Sequence, residues 1–325
     1  MLKTRLCDLL GIDHPIMNAP MGSAAGAELA AAVSEAGGFG LIGMGTKDDP
    51  VWLREQIHIA RELTSRPFGV GFITAFPNIG ELVRVSIEEE VTAISHSFMD
   101  VSPYVADAHE AGIKVLAQVQ NVAQGVAAVA AGADVIAAQG TEAGGHTGYI
   151  GTLSMVAAMV EIPGDTPVVA AGGIANGRTL AAMLLLGAEG AWVGTRFVAS
   201  QEGASGQWVK QRVVEASEDD TVQTKSYDLA MDWPFPEEFI ADRVLRNDYT
   251  AEWHGRNEGV VAQREELKDQ ILSATAAVNA KLAAVRAGHA VGLIHGIEPA
   301  GEIVRRLVTE AEEVLRTRPN AILSG

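Results

Sequence analysis

Short apolar runs rich in β-branched residues recur along the first two thirds of the chain. Each is followed by a polar or glycine turn and then by an alanine-rich stretch with helical spacing. The runs are PIMNA (15–19), FGLIG (39–43), PFGVGFI (67–73), VTAISHS (91–97), IKVLAQV (113–119), DVIAAQ (134–139), PVVAAGG (167–173) and AWVGTRF (191–197). Their spacing of roughly 25 residues suits strands alternating with helices of ~10–15 residues. The runs are apolar almost throughout, as expected of parallel strands covered on both faces. About eight βα units point to an α/β fold closed into a (β/α)8 TIM barrel. An open doubly wound sheet with fewer strands is the alternative.

Beyond Phe197 the pattern changes. Residues 201–297 carry three of the five tryptophans, scattered charge and helical spacing, notably in REELKDQILSATAAVNAKLAAVRAG (264–288). No run there reads as a parallel strand. The amphipathic stretch PAGEIVRRLVTEAEEVLRT (299–317) begins with proline in its first turn and stops before Pro319, which predicts one more helix. The reading is a barrel built from 1–200 and 298–325, with 201–297 inserted as a helical cap between the eighth strand and the last barrel helix. A separate C-terminal helical domain is the alternative.

Composition narrows the class. The 325 residues include 24 Lys+Arg against 41 Asp+Glu, a net charge of −17. Such a surface argues against nucleic acid or an anionic membrane as partner and favours solubility. The apolar stretch LAAMLLLGAEGAWVG (180–194) is too short and too broken by glycine to span a bilayer. Cys7 is the only cysteine, so no disulfide can form within the chain, and the simplest expectation is a cytoplasmic protein. The first residues show no secretory pattern, because Asp8, Asp13 and Pro15 interrupt the apolar run.

Candidate chemistry follows from position in the barrel. GFGLIG (38–43) matches a dinucleotide fingerprint, but here a helix precedes it and a strand follows, the reverse of the required order. It reads as a helix end followed by a strand. Barrels commonly hold phosphate in the loops after strands seven and eight. AAGGIANG (170–177) and GTRF (194–197) fall there, with glycine N–H groups and the Thr195 hydroxyl able to meet phosphate oxygens. The plainer alternative is a pair of ordinary turns. QGTEAGGHTG (139–148) follows the sixth run, at the face where barrel catalysis occurs. His146 there is a candidate general base. Gly144, Gly145 and Gly148 leave room for a flat ligand against the backbone. A histidine that only hydrogen-bonds the loop is the alternative. His96 stands near the end of the fourth run, close to the same mouth. Met17 and Met21 flank the end of the first run, as ring-packing or core residues. No histidine has a partner at metal-ligand spacing, so no metal site is expected.

QGTEAGGHTG, AAGGIANGRTLAAMLLLGAEGAWVGTRF and GIDHPIMNAPMGSAAGAELAAAVSEAGGFGLIG together resemble the nitronate monooxygenase family, formerly the 2-nitropropane dioxygenases. The likeness covers most of 1–200 and continues weakly at VRAGHAVGLIHGIEPAGEIVRRLV. The glycine–histidine motif is shared with FMN-dependent enoyl-acyl-carrier-protein reductases and related NAD(P)H:quinone reductases. The resemblance implies a TIM barrel binding FMN, with His146 as catalytic base. It implies Ala19, Met21 and Gly22 beside the ring system, Gln118 reaching it, and Glu142, Ala143 and Gly144 alongside. Gly172, Gly173, Gly194 and Thr195 would hold the phosphate. Many members carry asparagine in a GVN context at the end of the third strand; here GVGFIT puts Gly71 and Phe72 there. Barrels like IMP dehydrogenase need a cysteine after the sixth strand, and this chain has none.

The function expected is FMN-dependent oxidation of nitronates or nitroalkanes by O2 to a carbonyl compound and nitrite. The alternatives are an NAD(P)H-dependent flavin reductase of quinones or enoyl thioesters, and a flavin-binding barrel without turnover.

Overall fold

The computed structural model describes residues 2–47, 49–162, 164–236 and 240–323. All eight runs become parallel strands. The first six are β1 (Ile16–Asn18), β2 (Gly40–Gly43), β3 (Phe68–Ile73), β4 (Ala93–Ser97), β5 (Lys114–Val119) and β6 (Val135–Gln139). A short strand, β7 (Gly145–Thr147), lies outside this set. The seventh and eighth runs give β8 (Val168–Ala171) and β9 (Gly190–Val193). The barrel order is β1-β9-β8-β6-β5-β4-β3-β2, with a helix between successive strands.

The two ends of that order meet at a seam. Phe39 N–H donates to Ile16 O at 2.8 Å, and Met17 and Phe39 form a parallel bridge. Further along, the Asn18 side chain stands in for a missing ladder rung. Its Nδ2 donates to Leu41 O at 2.8 Å, and its Oδ1 accepts from Leu41 N–H at 2.9 Å. Asn18 is fully buried, so both peptide groups of Leu41 depend on it.

Alternation along the strands explains the apolar runs. Met17, Leu41, Ala93, Leu116, Ala137, Val169 and Trp192 meet inside the barrel. Ile16, Ile42, Val70, Ile94, Val115 and Ile136 face outward to the helices. Both faces are buried, as for parallel strands in general. The helix Arg5–Leu10 sends Leu6, Cys7 and Leu10 into the inner cluster beside the start of β9. The N-terminal end of the barrel is therefore plugged, which leaves the C-terminal strand ends as the open face.

The helix predicted over 299–317 is Ala300–Leu323. It packs against the helices Gly177–Leu185 and Ala27–Glu35, the place of the eighth barrel helix. It runs on through Pro319, in a final stretch that is mostly exposed.

The 201–297 segment is not helical throughout. It contains β10 (Thr221–Thr224) and β11 (Ala241–Leu245), which form an antiparallel sheet in the order β10-β11-β7. The helical spacing read over 264–288 ends at Ala276. Beyond it, Ala283, Val285 and Ala287 are buried in strand-like alternation, and Leu245 N–H donates to Val285 O. Packing against β11 overrides helical propensity there.

Replacing Asn18 with alanine is expected to leave two buried peptide groups unpaired, at ~1–3 kcal/mol each. A denaturation midpoint indistinguishable from that of the unchanged chain would show that the seam does not depend on this side chain.

Candidate functional site

The pairing of β7 with β11 puts His146 directly opposite Asp242, and Gly145 opposite Arg243. It satisfies the backbone of a glycine-rich stretch that could not form a stable strand alone. Behind β7, Gln120 Nε2 donates to Gln139 Oε1, and Gln139 Nε2 donates to His146 O, both at 3.0 Å. On the other side, Gln223 Nε2 donates to Thr147 Oγ1 at 2.8 Å and Gly148 O at 3.0 Å. The main chain that carries the imidazole is held from both sides.

The imidazole is 8 % exposed, and its Nε2 lies 2.7 Å from Asp228 Oδ1. Asp228 comes from the helix Ser226–Met231 of the 201–297 segment. Burial pushes its carboxyl above the usual carboxylate range, against the opposing pull of His146. Asp242 is fully buried and paired with Arg286 at 2.7 Å. Burial works against the Arg286 charge, but Asp242 and Asp228 outweigh it and hold the guanidinium above its ordinary value. One polar atom from each of His146, Asp228 and Asp242 lies within 4.8 Å of the others, a grouping no sequence spacing announced. Arg286 supplies the countercharge at Asp242.

Aromatic rings enclose the imidazole. Phe235 stacks on it at 3.6 Å between centroids, and Phe98 and Trp233 meet it edge-on at 6.1 and 6.0 Å. Phe98, Phe235 and Ile240 form a small apolar cluster with Ile73 and Phe76 against it. The histidine thus combines an ionic partner on one nitrogen with an apolar surround.

The other sequence-derived residues gather around the same mouth. Ala19 follows β1 and joins the inner cluster, and Met21 and Gly22 lie on the loop beyond it. A Cβ on Gly194 would sit 3.7 Å from both Ala19 Cβ and Met21 Sδ. Gln118 is half-buried near the end of β5, on the inward parity of Leu116. Gly172 and Gly173 follow β8 with φ of 103° and 75°. A Cβ on Gly172 would lie 2.8 Å from Ala143 N, whereas one on Gly173 would meet only Glu142 Cβ at 3.6 Å. The Gly173 and Thr195 N–H groups find no acceptor among the described residues. Thr195 Oγ1 accepts from Gly288 N–H at 2.9 Å and keeps its own proton to donate.

Several glycines in QGTEAGGHTG face protein rather than open space. A Cβ on Gly140 would strike Thr152, one on Gly144 would strike Ala287 and Gly288, and one on Gly148 would crowd Gln120. Only Gly145 (φ 76°) is free of such crowding, so the open ledge inferred for Gly144 and Gly148 is filled by close packing. Glu142 turns its carboxylate to the helix Thr152–Val160, accepting from Thr152 N–H at 2.6 Å and its hydroxyl at 2.7 Å. That leaves the backbone of Glu142 and Ala143 as their share of the mouth. Gly71 has a local cause too. A Cβ there would stand 2.3 Å from Pro20 Cβ and 2.6 Å from Ser95 Oγ, so asparagine does not fit while Pro20 leans on the strand. His96 faces away from the mouth, stacked on Tyr104 at 4.6 Å in the outer layer.

Sequence reasoning did not find Asp228, Asp242, Arg286 or the aromatic enclosure. They lie in SYDLAM, ADRVL and LAAVRAG, where no motif marks an isolated charge, and their partners are distant in the chain.

Comparison with known proteins places this architecture. Residues 3–310 match the family model for nitronate monooxygenase. FabK from Thermotoga maritima is 35 % identical and superposes with a TM-score of 0.90, covering 99 % of this chain and 100 % of that one. A nitroalkane oxidase from Streptomyces ansochromogenes is 28 % identical with a TM-score of 0.82, covering 96 % and 99 %. A curated relative from Mycobacterium tuberculosis, (3aS,4S,5R,7aS)-5-hydroxy-7a-methyl-1-oxo-octahydro-1H-indene-4-carboxyl-CoA dehydrogenase, is 35 % identical over 231 residues. That alignment spans 70 % of this chain and 64 % of the relative, under two thirds of its length.

The placement of His96 yields a pH prediction. Burial pushes its imidazole down to about 3 from 6.5. The unfolded chain therefore binds a proton that the folded chain refuses. Stability is full above pH ~6.5 and falls toward pH 3 by up to ~1.4 kcal/mol per unit. In urea titrations between pH 6.5 and 4, His96→Gln is expected to lose stability less steeply than the unchanged chain. Parallel slopes would show that His96 does not drive the acid sensitivity.

Proposed function

The chain belongs to the nitronate monooxygenase family, and from that premise we propose that it oxidises nitronates and nitroalkanes with O2, giving a carbonyl compound and nitrite. The family makes the chain a flavin-dependent oxidoreductase. The finer reading is carried by one observation: a buried histidine at the barrel mouth, paired with a carboxylate and walled by aromatic rings.

The mouth fits a flavin that ends in a single phosphate, which favours FMN. Gly173 and Thr195 offer free N–H groups, the Thr195 hydroxyl has a proton to give, and a Cβ on Gly173 or Gly194 would meet nothing closer than 3.6 Å. Gly172, Gly173, Gly194 and Thr195 would hold the phosphate; Ala19, Met21, Gly22, Gln118 and the backbone of Glu142, Ala143 and Gly144 would flank the ring system. No second phosphate cradle is formed at GFGLIG, where the helix Ala27–Glu35 precedes β2. When bound, the flavin supplies the redox chemistry.

The residues supply position and proton transfer. His146 takes the proton from the carbon beside the nitro group, and the bonding pair stays on the substrate as the nitronate. Asp228 stabilises the imidazolium that results. Phe98, Trp233 and Phe235 exclude water and favour an apolar substituent on that carbon. The 201–297 segment acts as the cap that selects the substrate.

A second reading has its own support, since the likeness to FabK, an enoyl reductase relative, extends over 99 % of this chain. In that reading the bound flavin would supply to the β-carbon of an enoyl thioester a hydride drawn from NAD(P)H, and His146 would give the proton to the α-carbon. Anaerobic mixing of flavin-loaded protein with nitronate, NADH or NADPH separates the two. Bleaching by nitronate alone supports the oxidase; bleaching by a nicotinamide alone hands the site to the reductase.

Two variants probe the assignments. A positioned base contributes ~10²–10⁴-fold. His146→Asn is therefore expected to keep its flavin, lose most turnover of neutral nitroalkanes and retain substantial turnover of preformed nitronates. Equal loss on both substrates would remove the base role. Gly173→Val is expected to lose flavin, because the new side chain takes the place of a phosphate oxygen. A strained φ of 75° adds a folding cost, so circular dichroism must first show a folded barrel. Normal flavin content in a folded variant would mean that the loop is only a turn.

A further inference from the structure

We propose that Asp228 is a positioning residue that fixes the tautomer of His146, placing the proton on Nε2 and leaving Nδ1 as the basic nitrogen. The proposal rests on the reading of His146 as the base. The 2.7 Å contact joins Nε2 to Oδ1, and both residues are 8 % exposed. With His146 and Arg286 opposing the effect of burial on Asp228, its ionised carboxylate only accepts, and the nitrogen facing it then donates. Nδ1 then carries the lone pair, and the ring's one side-chain hydrogen bond among the described residues is the one at Nε2.

The surrounding groups make this arrangement selective. Besides His146, the charges that act on Asp228 are Asp242 on β11 and Arg286 on the adjoining stretch, and these are bound to each other; Arg264 and Asp232, which line the same pocket, pair with one another. Arg286 is therefore taken by Asp242, which leaves Asp228 to the imidazole. Phe235 stacked on the ring, with Phe98 and Trp233 at its edges, opposes rotation of the imidazole away from Asp228. After proton abstraction the ring carries a positive charge in a low-dielectric surround. Asp228 is the anion that offsets it, so no proton need leave Nε2 during the step.

Asp228 lies 82 residues from His146, on a helix outside the barrel. Barrel and cap each contribute one half of the basic unit. A barrel whose cap is displaced keeps His146 but loses the group that orders its proton, which links proton abstraction to cap docking.

Asparagine at 228 has nearly the same shape but can turn its NH2 toward Nε2. The favourable tautomer then places the proton on Nδ1 and removes the lone pair from that nitrogen. The experiment uses flavin-loaded protein with 15N-labelled histidine, comparing the unchanged chain, Asp228→Asn and Asp228→Glu. NMR of the ring nitrogens reports the tautomer without turnover, and kcat/KM with nitroethane reports the consequence. The expected result is a protonated Nε2 in the unchanged chain and a shift toward protonated Nδ1 in Asp228→Asn. With it comes a ~10²-fold or greater loss of kcat/KM, at unchanged flavin content. Asp228→Glu is expected to restore the tautomer and most of the rate. Ring nitrogens that do not change in Asp228→Asn overturn the proposal, whatever the rate does. A tautomer that switches with no loss of rate overturns it as well. Failure of the base reading looks different: His146→Asn then loses turnover of nitroethane and of preformed nitronate equally, or loses neither, while the NMR response to Asp228→Asn persists.

Discussion

The antiparallel pairing of β7 with β11 is the constraint on which the site depends. Gly145–Thr147 has too little apolar surface to fold as an isolated strand, and its glycine, like those flanking it, carries a high entropic cost when ordered. The ladder to Ala241–Leu245 supplies the missing hydrogen bonds and fixes the register that sets His146 opposite Asp242. Once that register is set, the buried charges must find partners, because an unpaired buried ion costs several kcal/mol. Arg286 meets Asp242, and His146 meets Asp228. Arg243, pointing the other way, donates to Thr141 O at 2.7 Å and ties the same strand to the loop before His146. The chemistry of the mouth follows from these pairings rather than from the barrel strands alone.

The barrel in turn explains why this constraint acts at one end. Its N-terminal end is filled by Leu6, Cys7 and Leu10, and its wall is closed by Asn18 where β1 and β2 lack a regular ladder. Among the described residues, that leaves the C-terminal strand ends as the open face, where the loops after β1, β6, β8 and β9 converge. The 287–289 stretch binds two of those loops together, since Gly288 N–H donates to Thr195 Oγ1 and His289 N–H donates to Glu142 O. The groups proposed to hold the phosphate and the group proposed to take the proton are thus joined by the segment that covers them.

Much of this was legible in the sequence. Eight apolar runs marked the eight barrel strands because burial on both faces leaves no polar alternation to confuse them. The position of His146 after the sixth run, and of the glycine loops after the seventh and eighth, followed from counting units. The second sheet was hidden for a physical reason. β11 reads ADRVL, where Asp242 and Arg243 break the apolar pattern although every residue is buried, because their charges are satisfied by distant groups. Residues 283–287 continued a helical pattern from Arg264 until contact with β11 imposed an extended form. Asp228 is one of 41 acidic residues, and only the fold brings it to the imidazole.

The central claim is that the base is a pair drawn from barrel and cap. A crystal structure of the flavin-loaded protein with a nitronate bound tests it most directly. The account predicts His146 Nε2 still on Asp228, and Nδ1 within ~3–3.5 Å of the carbon bearing the nitro group. An imidazole turned so that Nε2 faces the ligand, with Asp228 parted from the ring, would contradict it.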